Sequence, residues 1–366
     1  MHLPGLFLHR NLDLRATVPE WAPTFGYTAT GKVANPCPIG PDLVWAPTYL
    51  LGLLLQKLHI VRTVAPTNAP PRFGQAAVDF WMAGLGTLLY GAVGLAALFR
   101  FLRRHGSVMG ARFALGLGAL ATPLCFYLVT QPLYQHAPSF STVALLVERW
   151  DALLGVGRPN QAAAARLRAY ALLGALIGLA MLMRIQEGVW LLLPGVTLLE
   201  VLVAKARARD LAGLARTVVQ GLVVLAATAI VFAPQLLLWR YFYGTFTVPQ
   251  QPGHMRWSEP AVVETLFSLR AGLFPWVPVL YLAIPGLCVR PLRALSLRLL
   301  PVLFMEFWVN ASAWDYHGSW AFGPRRFTDA VVIFAVGLLG LFLTLRRRAL
   351  RTTVYIAAGF FVAYNV

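Results

Sequence analysis

Charge is scarce in this sequence. Only 12% of its 366 residues are Asp, Glu, Lys or Arg, against about 25% in soluble domains. Acidic residues are scarcer still, 14 against 31 Lys and Arg. The three cysteines, Cys37, Cys125 and Cys288, are scattered and have no metal-ligand spacing. One disulfide stays open, but Cys125 and Cys288 lie in apolar runs and read as small core residues. No Walker motif, dinucleotide fingerprint, zinc signature or serine-nucleophile elbow is present. These absences remove support for soluble-enzyme chemistry. The opening MHLPGLFLHRNLDLR is too short and polar for a signal peptide.

What is abundant is apolar sequence. Hydrophobic residues make up 58% of the chain, in runs close to the roughly 20 residues that a spanning helix needs. The runs are continuous rather than alternating, which argues against a membrane barrel. The expected fold class is therefore all-α, a polytopic integral membrane protein. Spans are expected at 76–102, 112–130, 138–157, 167–184, 187–204, 217–243, 274–290, 294–313 and 326–345, with a further, cut-off one from 353. Glu148, Arg149 and Asp151 interrupt the span from 138, which is expected to end early with those charges at the interface. The chain divides into an outer-face segment, 1–75, and a transmembrane helical domain, 76–366. Within the first, 39–58 is apolar enough for a juxtamembrane helix. The last segment, TTVYIAAGFFVAYNV, stops partway through a span, so both ends suggest part of a longer protein.

The net charge of +17 does not imply nucleic acid, because the basic residues form no single patch. They fall in alternate connections: Arg100, Arg103, Arg104 and Arg112; Arg158, Arg166 and Arg168; Lys205, Arg207, Arg209 and Arg216; Arg290, Arg293 and Arg298; Arg346, Arg347, Arg348 and Arg351. By the positive-inside rule these connections are cytoplasmic. The opposite, outer face then receives 1–75, the QPLYQHAPS and RIQEG turns, the loop 244–273 and the segment WDYHGSWAFGPRRF.

That last segment ends in Arg325 and Arg326, on the face that otherwise avoids charge. An Arg pair at a helix start suits a phosphate or carboxylate: guanidinium offers a bidentate fork and the helix N-terminus adds its dipole. The plainer reading is a pair of topogenic arginines, with Asp329 one turn on pairing with one of them. Arg184 and Glu187 are spaced i, i+3, with Gln186 between. They read either as an interfacial ion pair that snorkels or as a polar wall facing an embedded cavity. Tyr134 and His136 sit between two spans, His136 structural or a hydrogen-bond partner of a sugar or phosphate. His254, Arg256, Trp257 and Glu259 cluster in the loop 244–273, where the tryptophan serves an aromatic belt or a sugar ring. Lys32 lies in a Gly- and Pro-rich turn.

Taken in order, YTATGKVANPCPIGPDLVWAPTYLL, ATPLCFYLVTQPLYQHAPSF, MLMRIQEGVWLLLP, FAPQLLLWRYFYGTF, LFSLRAGLFPWVPVL and WDYHGSWAFGPRRFTD resemble segments of bacterial GT-C type membrane glycosyltransferases. That group includes the protein O-mannosyltransferase and lipid A aminoarabinose transferase families. The resemblance implies a GT-C-like helical bundle in the bacterial cytoplasmic (inner) membrane. It would take a sugar from a polyprenyl-phosphate donor and pass it to an acceptor on the periplasmic or extracellular face. Arg325 and Arg326 would bind the donor phosphate, and Lys32, His136, Arg184, Tyr134 and Trp320 would line the same cavity. In the family a first span and an acidic loop precede the segment matched by NLDLRATV, and the loop carries the general base. Neither is in this sequence, so the base is left to the outer-face carboxylates Asp13, Asp42, Glu259 and Asp315. No cofactor is implied with certainty; a divalent metal is an open alternative. The expected partners are the lipid-linked sugar and the bilayer, not nucleic acid. Two other readings stand beside this one. One is a non-catalytic, truncated homologue. The other is a lipid-linked sugar transporter or flippase, against which no inverted repeats or paired broken helices are legible.

Overall fold

The computed structural model describes residues 3, 5–13, 26–35, 37–60, 76–155, 167–248, 254–318, 321–345 and 347–365. Trp320, Arg158, Arg166 and Arg346 lie outside these residues. The described residues are almost wholly helical, without a strand; two isolated bridges, Tyr27 to Val33 and Met255 to Ala313, are all the β pairing they show.

In chain order the helices are α1 (Gly40–Lys57), α2 (Ala76–His105), α3 (Val108–Leu120), α4 (Leu124–Val129), α5 (His136–Leu154), α6 (Leu167–Met183), α7 (Leu192–Arg207), α8 (Leu211–Tyr243), α9 (Val262–Phe267), α10 (Leu273–Trp276), α11 (Leu280–Leu287), α12 (Arg293–Ser312), α13 (Val331–Thr344) and α14 (Arg348–Asn365). A 3₁₀ segment, Ile185–Leu191, leads into α7, and a 3₁₀ turn, Arg325–Phe327, precedes α13. Among the described residues three stretches are long and apolar enough to cross a membrane: Trp81–His105, Ile185–Arg207 and Leu211–Tyr243; shorter apolar helices are Val108–Leu120, Leu167–Met183 and Val331–Thr344. The protein is a polytopic all-α membrane protein.

Two of the continuous spans expected from hydropathy are broken. The run 112–130 divides into α3 and α4 at Ala121–Pro123. Pro123 cannot donate a backbone bond, and Thr122 covers the breach: its Oγ1 donates to the Gly118 carbonyl (2.7 Å) and accepts from the Leu124 N–H (3.3 Å). The run 274–290 divides into α10 and α11 around Pro278. A lipid-facing helix break would leave orphan polar groups, so both breaks are protein-lined. Tyr127 of α4 donates its hydroxyl to the Phe322 carbonyl (2.8 Å), and Trp276 of α10 packs edge-on against the Phe322 ring (5.3 Å). Broken helices are thus present where none were legible.

The span from 138 ends at Leu154, with Glu148 and Asp151 in its last two turns. α5 runs through Glu148 and Asp151, both buried, because α2 supplies their partners. Arg104 donates to Glu148 and, at 3.2 Å, to Asp151, and His105 meets Asp151 at 2.8 Å. The same end of the bundle carries the Lys205–Asp210 pair (2.8 Å) and the Arg298–Glu200 pair (2.6 Å). The Asp210 carboxyl, which also caps α8 through the Gly213 N–H (2.8 Å), is held below the usual carboxylate range chiefly by the Lys205 ammonium. Cys288 is exposed rather than buried, and all three cysteines are free.

Close helix contact fixes the frame that carries the site. α11 and α13 cross with backbone against backbone: a Cβ on Gly337 would sit 2.1 Å from the Ala283 carbonyl oxygen, and one on Gly286 would overlap the Gly337 carbonyl. α6 and α8 are tied by Thr228, whose hydroxyl lies 3.0 Å from the Gly174 carbonyl and 2.9 Å from that of Val224. The helix expected at 39–58 is present as α1, packed on α2 and α6.

Candidate functional site

The end of the bundle opposite the basic turns gathers two stacked tiers of polar side chains. The lower tier is enclosed. α6 ends at Met183, and Arg184 takes extended backbone (φ −153°, ψ 123°) before the 3₁₀ segment begins. This bend turns the Arg184 side chain inward, where it is 3% exposed. Its Nη1 donates to Asp329 Oδ1 (3.0 Å) and lies 3.2 Å from Glu187 Oε1, while Nη2 donates to the backbone carbonyl of Arg326 (3.1 Å). Glu187 accepts further bonds from Ser139 Oγ (2.9 Å) and Trp190 Nε1 (3.1 Å). Gln186 Nε2 donates to Asn310 Oδ1 on α12 (3.0 Å).

This corrects two expectations. Arg184 and Glu187 do pair, but both are buried instead of snorkelling to an interface. Asp329 pairs with Arg184, 145 residues earlier in the chain, and not with its neighbours Arg325 or Arg326. The reason is geometric. The 3₁₀ turn Arg325–Phe327 aims Asp329 at the bundle interior, where it is fully buried, and there a guanidinium is the partner that a buried carboxylate needs.

The upper tier is partly open. Arg326 Nη2 donates to Asp315 (2.5 Å). Arg325 has no carboxylate among the described residues; its guanidinium lies 5.9 Å from the centre of the Tyr134 ring. Tyr134 stacks on His136 (6.1 Å, 17° between planes), and Tyr127 flanks His136 at 4.9 Å. His136 is 3% exposed, and its Nδ1 meets no partner among the described residues. The loop bends tightly here. Gly318 has φ +67°, and a Cβ there would come within 3.2 Å of Arg325 Nε, so glycine suits both the left-handed backbone and the close guanidinium. The segment WDYHGSWAFGPRRF thus places its two arginines in different states, one neutralised and one free of any acidic partner among the described residues.

The other expected residues lie apart from Arg325. Lys32 sits in the turn bridged by Tyr27 and Val33, with Nζ 4.4 Å over the Tyr241 ring at the end of α8. Thr30 anchors that turn by donating to the Phe242 carbonyl (2.6 Å). Among the described residues no contact joins Lys32 to the Arg325 tier. Of the four carboxylates considered for a base, Asp13 and Asp42 are buried and engaged. Glu259 is exposed on a loop pinned along the end of α12 by Arg256 N–H to Ser312 (2.6 Å) and Ala261 N–H to Ala311 (2.9 Å). Asp315 alone of the four touches the arginine turn. Among the described residues no group of three or more His, Cys, Asp or Glu is arranged to hold a metal ion.

Sequence reasoning missed Glu306, Asn310, Ser139 and Trp190, all buried in or beside the lower tier. For Glu306 a signal existed: it is the acidic residue within the apolar run VLFMEFWVN, and an ionisable residue inside a span is a functional candidate by default.

No family model matches the chain. No curated protein matches it either. Among solved structures the chain is similar to the crystal structure of ArnT from Cupriavidus metallidurans in the apo state, at 18% identity and a TM-score of 0.48, over 87% of this chain and 51% of that one. The chain therefore spans about half the length of that protein.

Proposed function

We propose that the protein binds a polyprenyl-phosphate sugar at the Arg325 end of the bundle and transfers the sugar to an acceptor, as a GT-C type glycosyltransferase of the bacterial cytoplasmic membrane working on its outer face. The observation that carries this reading is Arg325. It is a half-buried guanidinium with no acidic partner among the described residues, set beside Tyr134 and the unpartnered Nδ1 of buried His136. A half-buried cation without a counter-ion among the described residues favours an anionic ligand, and guanidinium matches phosphate geometry. The ordered resemblance of six sequence segments to that enzyme group supports the same reading.

In this scheme the acceptor oxygen or nitrogen attacks the anomeric carbon, the bond from that carbon to the lipid phosphate oxygen breaks, and the phosphate leaves with its charge met by Arg325. Asp315 is the carboxylate at hand for the acceptor proton. Arg326 holds it in place and can exchange it for the phosphate. Asp315→Asn is expected to leave donor binding within about threefold while lowering sugar transfer by 10²–10⁴-fold, the range of general base catalysis, as read with radiolabelled donor and separate binding and transfer assays.

One observation favours a second reading, binding without transfer: Asp315 is already neutralised by Arg326 while Asp13 and Asp42 are buried and engaged. In that case the wild-type chain binds the donor and transfers nothing, and Asp315→Asn changes neither.

A further inference from the structure

Glu306 lies within α12 and is 2% exposed. It shares a helix face with Asn310, four residues on, and Asn310 is bonded to Gln186, so this face looks onto the 3₁₀ segment and the start of α13. Neither oxygen of Glu306 accepts a bond from any N–H or O–H among the described residues. The charged groups that act on its carboxyl are Asp329, Glu187 and Arg184. Glu187, from the 3₁₀ segment, shares the Arg184 Nη1 and Trp190 Nε1 donors with Asp329. The enclosed cluster therefore sets three carboxyls against the single guanidinium of Arg184. The other charged groups near it, Arg325 and Arg326, lie in the upper tier, and α5 faces the cluster with the neutral Ser139 hydroxyl.

A buried carboxyl with no donor at either oxygen is not held as an anion beside other carboxylates, since like charges repel most where water is excluded. Asp329 and Glu187 both accept bonds from nitrogen donors, Asp329 from Arg184 (3.0 Å) and Trp190 (3.4 Å), Glu187 from Trp190 (3.1 Å) with Arg184 at 3.2 Å. Glu306 accepts none. We propose that the cluster is a proton-binding site in which Glu306 carries the proton. A neutral carboxylic acid needs no counter-ion when buried, so it removes one of three enclosed negative charges. The consequence reaches the upper tier. Arg184 is shared between Asp329 and the Arg326 carbonyl, and a third negative charge would draw it off that carbonyl and release the arginine turn. The inference does not depend on the ligand assigned to Arg325.

The test is infrared spectroscopy of the full chain at neutral pH in ester-free detergent, in H₂O and D₂O. The wild type is expected to show one carboxylic-acid carbonyl band that moves in D₂O, moves again when glutamate is labelled with carbon-13 at the side-chain carboxyl, survives added magnesium, persists in Glu187→Gln and vanishes in Glu306→Gln. Absence of an acid band, a band untouched by glutamate labelling, or one that persists in Glu306→Gln overturns the assignment. A band abolished by magnesium also overturns it, in favour of a cation site. Should Glu306→Gln fail to fold, the isotope and magnesium experiments on the wild type, with the band's persistence in Glu187→Gln, still decide the question.

Discussion

The guanidinium of Arg184 lies 3.1 Å from the backbone carbonyl oxygen of Arg326. This bond joins the enclosed carboxyl cluster to the turn that presents Arg325 and gives Arg184 a structural task there. Arg184 holds the arginine turn in place.

Removal of Arg184 should therefore be felt first in stability. Arg184→Ala leaves Glu187 and Asp329 buried without their cation, and breaking a buried ion pair from one side costs about 3–5 kcal/mol. Arg184→Lys should recover only part of this, because an ammonium cannot reproduce the guanidinium fork that reaches Asp329 and the Arg326 carbonyl together. Unfolding in detergent, followed by size exclusion after heating, reads the difference; a wild-type midpoint for Arg184→Ala would show that the pair is not structural.

The α11–α13 crossing should tolerate no added methyl. Gly337→Ala would bring Cβ within 2.1 Å of the Ala283 carbonyl oxygen, and overpacking of this kind costs about 1–3 kcal/mol. Gly195→Ala in α7 meets nothing within 4 Å and is expected to be neutral or slightly stabilising, since alanine favours a helix over glycine by about 0.5–1 kcal/mol. Equal midpoints for the two variants would contradict the packing described.

Topology can be read by labelling. In a chain freed of Cys37, Cys125 and Cys288, a cysteine at Arg209 should be silent to a membrane-impermeant thiol reagent in intact cells, and one at Glu259 should react. Both positions are exposed, so access depends on the membrane side alone. Reaction at Arg209 and not at Glu259 would invert the orientation that the basic turns imply.

Much of the helical frame is legible in the sequence, because apolar runs and basic turns report membrane solvation directly. The breaks at Ala121–Pro123 and around Pro278 are not, because hydropathy stays high across them and a proline in a span has several outcomes. The Arg184–Glu187 pair is legible through its i, i+3 spacing. The partner of Asp329 is not: local spacing favours Arg325 or Arg326, and only the tertiary fold brings Arg184 against it. Glu306 carries a signal in its apolar surroundings, but its burial without a donor depends on helices that no sequence pattern links. The arginine pair is legible as a pair, whereas its division into a neutralised Arg326 and an Arg325 without an acidic partner among the described residues depends on where Asp315 falls.

The central claim is that Arg325 holds a lipid phosphate. Its most direct test is equilibrium binding of a polyprenyl phosphate to the wild type and to Arg325→Ala in the same detergent, with the uncharged polyprenol as the control. The account predicts saturable binding that the polyprenol does not compete for. It also predicts a roughly 10- to 150-fold loss in Arg325→Ala, as expected for a charge-assisted hydrogen bond worth about 1.5–3 kcal/mol, with the thermal midpoint unchanged. Equal affinity in the two proteins, or equal competition by the polyprenol, would contradict it.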